Sequence, residues 1–196
     1  MAHPITQHHS VLQQGLSAFL DAPLSNWPQY AGQFYYRSME PAEHWIQAGE
    51  ASTEICFVIS GLLRVYYIDQ NGNEVNQHFY QPGEVIAPVS AIVAHEPCQY
   101  FIQALESSEV MLADYKAIHE AEKSNPEWLQ LEISIAQNVL LKSARREARL
   151  LLGNAEHRYK WFCKEYPELL ERLPQYHIAS FLGITPVSLS RLRKKQ

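Results

Sequence analysis

The period of the apolar residues changes once along this chain, near Pro126, and no other feature constrains the fold as much. Over residues 33–115 the pattern reads as short strands. Val58 and Ile59 lead into Ser60-Gly61, after which Leu63, Val65 and Tyr67 alternate with other residues. Asp69-Gln70-Asn71-Gly72-Asn73 is a turn, and Asn-Gly is a strong hairpin signal. Glu74 to Tyr80 continues as a strand and stops at Pro82-Gly83. Gln99–Leu105 and Val110–Ala113 are further strands, separated by Glu106-Ser107-Ser108-Glu109. Strands this short and closely spaced predict an antiparallel roll, barrel or sandwich. After Pro126 the period is helical. Trp128, Leu131, Ile135 and Val139 form one stripe, and Leu129, Ile133, Ala136 and Leu140 a second. A helix apolar on two stripes needs two partners. One is the β domain; the other is a second helix of the chain or the same helix of a second subunit. Gly153-Asn154 ends or kinks this helix. Ala155–Tyr166 is a further helix, and Pro167 and Pro174 bracket a turn-like segment over Glu168–Leu173.

Charge divides at the same place. The 196 residues carry a net charge of −5, but residues 1–120 hold 3 Lys/Arg against 13 Asp/Glu, and residues 121–196 hold 13 against 8. From Arg172 onward there are five basic residues and no acidic one. A basic end on an acidic body points to a polyanion contact at that end alone. No apolar run approaches the ~20 residues of a membrane span. Met1 to Gln14 is polar, with no basic region followed by an apolar one, so no secretory signal is read and a cytoplasmic location is expected. Cys56, Cys98 and Cys163 lie far apart without a CxxC pair, which argues against a disulfide scaffold, a zinc ribbon or a four-thiolate iron–sulfur site.

The most specific motif is Gln175–Leu192. Ile178 and Leu182, four apart, would pack inward on a first helix, and Ala179 is small where a second helix must pass. Gly183 supplies a left-handed residue at the helix end. Ile184 plugs the turn, Thr185 is an N-cap and Pro186 suits the first helical position. Leu189 and Leu192 then face the first helix, and Val187, Ser188, Ser190, Arg191, Arg193 and Lys194 are left outward. This is helix-turn-helix arithmetic, and the second helix of such a unit lies in the DNA major groove. The expected DNA contacts are Thr185, Val187, Ser188, Ser190, Arg191, Arg193, Lys194 and Lys195. Ser188 and Arg191 are placed for bases or phosphates, and the last three for phosphates.

On these residues the chain resembles the Crp/Fnr family of transcription regulators. Phe57-Val58-Ile59-Ser60-Gly61, Asn71-Gly72 and Pro82-Gly83-Glu84 resemble the family's cyclic-nucleotide-binding β-roll. Asn125-Pro126 matches the start of its long dimer helix, and Ile178–Thr185 with Ser188–Arg191 matches its helix-turn-helix. The resemblance implies an α+β chain. Residues 1–124 would be a jelly-roll-like antiparallel double-stranded β-roll sensor with an N-terminal helical segment. Residues 125–153 would be a long connecting and dimerisation helix. Residues 154–196 would be a winged-helix-like helix-turn-helix lacking a trailing wing. It further implies a homodimer joined through Leu131, Ile135 and Val139, double-stranded DNA as partner, RNA polymerase as a further contact and a small-molecule effector. The effector pocket would be lined by Val85, Ala87, Pro88, Cys98, Gln99 and Ser143.

The sequence departs from the family where cyclic AMP is held. The positions that carry the ribose-binding Glu and the phosphate-binding Arg in the family read Ala87-Pro88 and Cys98-Gln99 here. A buried phosphate without its Arg is an unpaired charge costing several kcal/mol, so cyclic AMP is not the expected effector, and no cofactor is expected. Cys98 in that position is a candidate redox-sensing thiol, with a buried inert cysteine as the simpler reading. The rival from another class is a cupin-like metal-binding enzyme with a helical appendage, built on His78 with His44 and His95. It lacks the His-x-His pair that chemistry uses. No P-loop, Ser/His/Asp order or paired catalytic carboxylates stand out, so no enzymatic activity is expected.

Overall fold

The computed structural model describes residues 4–20 and 22–194. Two helices, α1 (Pro4–Ser17) and α2 (Trp27–Ala31), precede eight strands: β1 (Tyr35–Met39), β2 (His44–Ile46), β3 (Glu54–Ser60), β4 (Leu63–Ile68), β5 (Glu74–Tyr80), β6 (Val85–Ile86), β7 (Phe101–Ala104) and β8 (Ser108–Asp114). A π-helical turn, Ser90–Ala94, lies between β6 and β7. The strands form two four-stranded sheets, ordered β1-β8-β3-β6 and β2-β7-β4-β5. In the first, β8 runs antiparallel to both β1 and β3, with Val110 opposite Arg37 and Val58, and Leu112 opposite Cys56.

Strands β3 and β8 are buried on both faces, and their residues divide by parity. Cys56, Val58, Val110 and Leu112 face the roll interior with Met39, Leu63, Val65, Ile86, Cys98 and Ile102. Phe57, Ile59, Met111 and Ala113 face a second core, closed by Leu12 and Leu16 of α1, by Tyr30, and by Ile118, Trp128 and Leu131 further along the chain. Successive side chains of a strand point to opposite faces, so each strand feeds both cores. Two tight approaches explain two glycines. A Cβ on Gly15 would meet the Phe57 ring at 2.2 Å, and one on Gly61, whose φ is +92°, would meet the Ser108 backbone at 2.6 Å.

Asp114 caps α3 (Tyr115–Glu122) by accepting from the amides of Lys116 and Ala117. The long helix α4 (Pro126–Leu152) has 27 residues. Its first turn is held by Glu127, which accepts from the Ser25 amide at 2.8 Å and the Tyr30 hydroxyl at 3.0 Å. Burial, reinforced by the hydrogen bond to Glu127, pushes the Tyr30 phenol up to about 12. Then follow α5 (Ala155–Glu165), α6 (Leu169–Arg172), α7 (Gln175–Leu182) and α8 (Pro186–Arg193).

The chain divides into two compact units, residues 1–65 with 79–137, and residues 66–78 with 138–196. This division differs from one at residues 124 and 153: α4 is shared, and the β4–β5 hairpin tip belongs with the C-terminal helices. Polar bonding explains the second point. Asn76 is fully buried. Its amide donates to Ser180 Oγ at 2.9 Å, and its Nδ2 donates to the His177 carbonyl at 3.1 Å. Ser180 Oγ donates in turn to the Glu74 carbonyl at 2.8 Å, and Arg146 Nη2 donates to the Asn76 carbonyl at 3.0 Å. The apolar core of this unit is aromatic, with Phe162, Tyr166 and Trp161 around Phe181 at centroid distances of 5.6–5.9 Å.

Candidate nucleic-acid interface and sensor roll

The segment α7–turn–α8 has the local chemistry its sequence demands. Gly183 ends α7 at φ 63°, ψ 39°, and its amide donates to the Ala179 and Ser180 carbonyls; the Ile184 amide also returns to Ala179. An L-residue pays to adopt that left-handed conformation, so glycine is the fitting terminator. Thr185 Oγ1 accepts from the Ser188 amide at 3.1 Å, and Pro186 occupies the first turn, where a missing N–H costs nothing. Ile178, Ala179, Leu182 and Leu189 are buried, as a right-angled helix pair requires.

The outward face of α8 carries Val187, 61% exposed, with Arg191, Arg193 and Lys194. Residues 187, 191 and 194 fall at helical spacing on one stripe. Two expected contacts are placed differently: Ser188 and Ser190 are half-buried, and the Ser188 hydroxyl lies 2.9 Å from Thr185 Oγ1 within the cap. Thr185 is exposed but spends its hydroxyl on that cap. Lys195 lies outside the described residues.

The roll interior is apolar, yet two polar atoms in or beside it, Trp45 Nε1 and Ser90 Oγ, are buried without a hydrogen-bond partner. An orphaned buried group costs ~1–3 kcal/mol, which a bound polar molecule would recover. Pro88 is buried, and Cys98 is buried within the interior core. Burial pushes the Cys56 thiol up, which removes it from thiolate chemistry at neutral pH. Arg64, although buried, does not supply the missing cation: it alternates with inward-facing Leu63 and Val65 and donates to Gln103, which alternates likewise with Ile102 and Ala104.

The family profile of the cyclic nucleotide-binding domain matches residues 36–125. Among solved structures, the c-di-GMP responsive regulator CLP of Xanthomonas campestris superposes with a TM-score of 0.70 at 15% identity, covering 86% of this chain and 88% of that one. A mutant of CooA from Carboxydothermus hydrogenoformans gives 0.71 at 16%, covering 88% and 80%. A putative cyclic nucleotide binding protein of Ruegeria pomeroyi gives 0.63 at 20%, covering 100% and 88%. The chain has the fold of these proteins. The Anaerobic regulatory protein of Aggregatibacter actinomycetemcomitans is 23% identical over 167 residues, covering 80% of this chain, and the match spans 64% of that relative's length.

In this fold the members of the expected effector pocket are dispersed. Val85 packs in the second core with Phe57 and α1, so it faces away from Cys98. Gln99 is exposed at the surface, Ala87 is half-buried, and Ser143 is exposed on α4 in the other unit. Pro88 and Cys98 remain the buried members of the expected pocket.

The expected dimer residues lie on α4 at different depths. Leu131 is 1% exposed and Ile135 packs beside it, both on the chain's own second core; Val139 is half-buried. The exposed large apolar residues of α4 are Ile133, Leu140, Leu141, Leu151 and Leu152. Ile133 and Leu140 are seven apart, which is the spacing of a coiled-coil seam. The sequence displayed that repeat, but displayed the buried stripe equally well.

Also unforeseen is a polar cluster of buried Asn76, His78 and His177 with half-buried Arg146. Burial, with the charges of Lys142 and Arg146 beside it, pushes the His78 imidazole down to about 3. Next to two cations His78 is a poor metal ligand. Among the described residues no group of three His, Cys, Asp or Glu is arranged to hold a metal, and the cupin-like reading loses its basis. Among the described residues no helix is long and apolar enough to cross a membrane.

Proposed function

We propose that the protein is a DNA-binding transcription regulator of the Crp/Fnr type that acts as a homodimer and takes a small-molecule signal in its β-roll. The observation that carries this reading is α8. It is a capped helix presenting Val187, Arg191, Arg193 and Lys194 outward, on a chain whose other half is acidic. A cationic helix of this kind collects phosphate contacts, and its N-terminal turns approach base edges. Arg191 reads a base; Arg193, Lys194 and Lys195 hold the backbone.

Two copies would pair through the exposed α4 face of Ile133, Leu140, Leu141 and Leu151, because one recognition helix gives little specificity. An inverted repeat with half-sites about one helical turn apart is the expected operator. RNA polymerase is a further partner of such a regulator, and the cytoplasm is its place. The effector seat is the roll interior beside Trp45, Ser90, Pro88 and Cys98. The effector is not cyclic AMP, because Pro88 and Cys98 offer neither a ribose acceptor nor a phosphate cation.

The test is a titration against selected and scrambled duplexes at several salt concentrations. Arg191→Ala costs ~1–3 kcal/mol and relaxes preference at one position. Lys194→Ala weakens all duplexes alike and lowers the salt slope by about one. Absence of any sequence preference in the wild type, with both variants behaving alike, refutes the assignment of α8.

A further inference from the structure

A groove of about 390 Å³ lies in the C-terminal unit where α4 gives way to α5, lined by Arg145, Ala148, Arg149, Leu152, Gly153, His157 and Arg158. Residues 145, 148, 149 and 152 occupy one face of the last turns of α4. The break at Gly153-Asn154 then turns the chain so that His157 and Arg158 close the other side. Glycine is required at the break: a Cβ on Gly153 would meet the Arg149 carbonyl oxygen at 2.7 Å and Arg158 Cγ at 3.3 Å. Its apolar lining comes from Ala148, Leu152 and Gly153, with Ala148 and Leu152 exposed. The polar lining is three guanidinium groups and one imidazole, with no carboxylate among the lining residues.

Arg158 is fixed in place. Its Nε donates to the Gly153 carbonyl at 2.9 Å and its Nη1 to the Leu182 carbonyl at 2.8 Å. Leu182 is the last residue of α7 before the Gly183 turn, so one side chain joins the groove wall to the helix-turn-helix.

We propose that this groove binds a phosphorylated small molecule with a flat apolar body, the chemistry of a nucleotide. The volume lies within the usual range for small ligands. Guanidinium groups bind phosphate bidentately and stack on planar rings, which suits both parts of such a ligand. The site stands independently of the DNA-binding reading; only its coupling to the turn through Arg158 rests on that reading.

The experiment measures anisotropy of N-methylanthraniloyl-ATP with the full chain, beside N-methylanthraniloyl-adenosine as the probe without phosphates. Duplex binding is measured separately. The triphosphate probe binds the wild type; the double change Arg145→Ala with Arg149→Ala weakens it by about tenfold or more. Leu152→Trp, which fills the groove and keeps every charge, weakens it as well and guards against a folding defect in the double variant. Lys160→Ala, a charge loss elsewhere on α5, leaves affinity within about twofold. The proposal is overturned by any of four results: no binding to the wild type, equal binding of the adenosine probe, unchanged binding in the double variant and Leu152→Trp, or displacement of the probe by duplex with parallel loss of duplex affinity in the double variant. The last result would make the groove a seat for the DNA backbone.

Discussion

His78 makes the C-terminal unit acid-sensitive, with a sign and size that follow from its surroundings. The imidazole is buried, and burial together with Lys142 and Arg146 holds its pKa at about 3, against 6.5 for an ordinary histidine. Between those values the unfolded chain holds a proton that the folded chain refuses. Stability is therefore full above about pH 6.5 and falls as pH drops through the window toward about 3. One extra proton in the unfolded state gives a slope of ~1.4 kcal/mol per pH unit, so acidification to about pH 5 costs ~2 kcal/mol through this group. Other groups titrate too, and the comparison must cancel them. Urea unfolding of wild type and His78→Gln, each at about pH 7.5 and about pH 5, yields that double difference. The variant is expected to be the less pH-dependent by ~2 kcal/mol. Parallel pH profiles would show that the imidazole is charged or water-exposed in the folded protein, and would refute the reasoning.

Gly183→Ala forces an L-residue into a left-handed conformation with Arg158 Nη1 3.2 Å from the new methyl. It should cost ~1–2 kcal/mol, read as a lowered urea midpoint by Trp161 fluorescence. Leu140→Glu places a charge on the exposed α4 face and should leave a folded monomer in sedimentation. Leu131→Glu buries a charge in the second core and should instead lose the fold, so a folded monomer from both, or a dimer from Leu140→Glu, contradicts pairing through the exposed face. With an aromatic disulfide reagent Cys163, half-buried, should react in the native protein, and Cys56 and Cys98 only after unfolding. Native reaction of Cys98 would restore it as a candidate redox thiol.

Much of the fold was legible because local chemistry decides it. Gly183, Thr185 and Pro186 set the α7–α8 turn by backbone conformation and capping, and Asn71-Gly72 sets the β4–β5 hairpin. The roll's strands were legible as strands, but not which way their side chains point. Runs such as Ile55–Ile59 and Val110–Ala113 are apolar at every position, since both faces are covered, so alternation is invisible in the sequence. That is why Val85 could be placed beside Cys98 from the sequence and stand in the other core in the structure.

The sequence by itself determined the hairpin, the extents of α4 and α5, the capped C-terminal pair and the separation of acidic from basic halves. Each rests on residues within a few positions of one another. Tertiary structure decided which apolar stripe of α4 is covered and which is left open, because both stripes have helical period and only the packing of α1 and the second core chooses between them. It likewise decided that Asn76 and His78, in a polar strand, become buried partners of α7 and α4, and that three arginines scattered from Arg145 to Arg158 share one groove. Burial and the meeting of distant side chains are properties of the packed chain, and no local pattern encodes them.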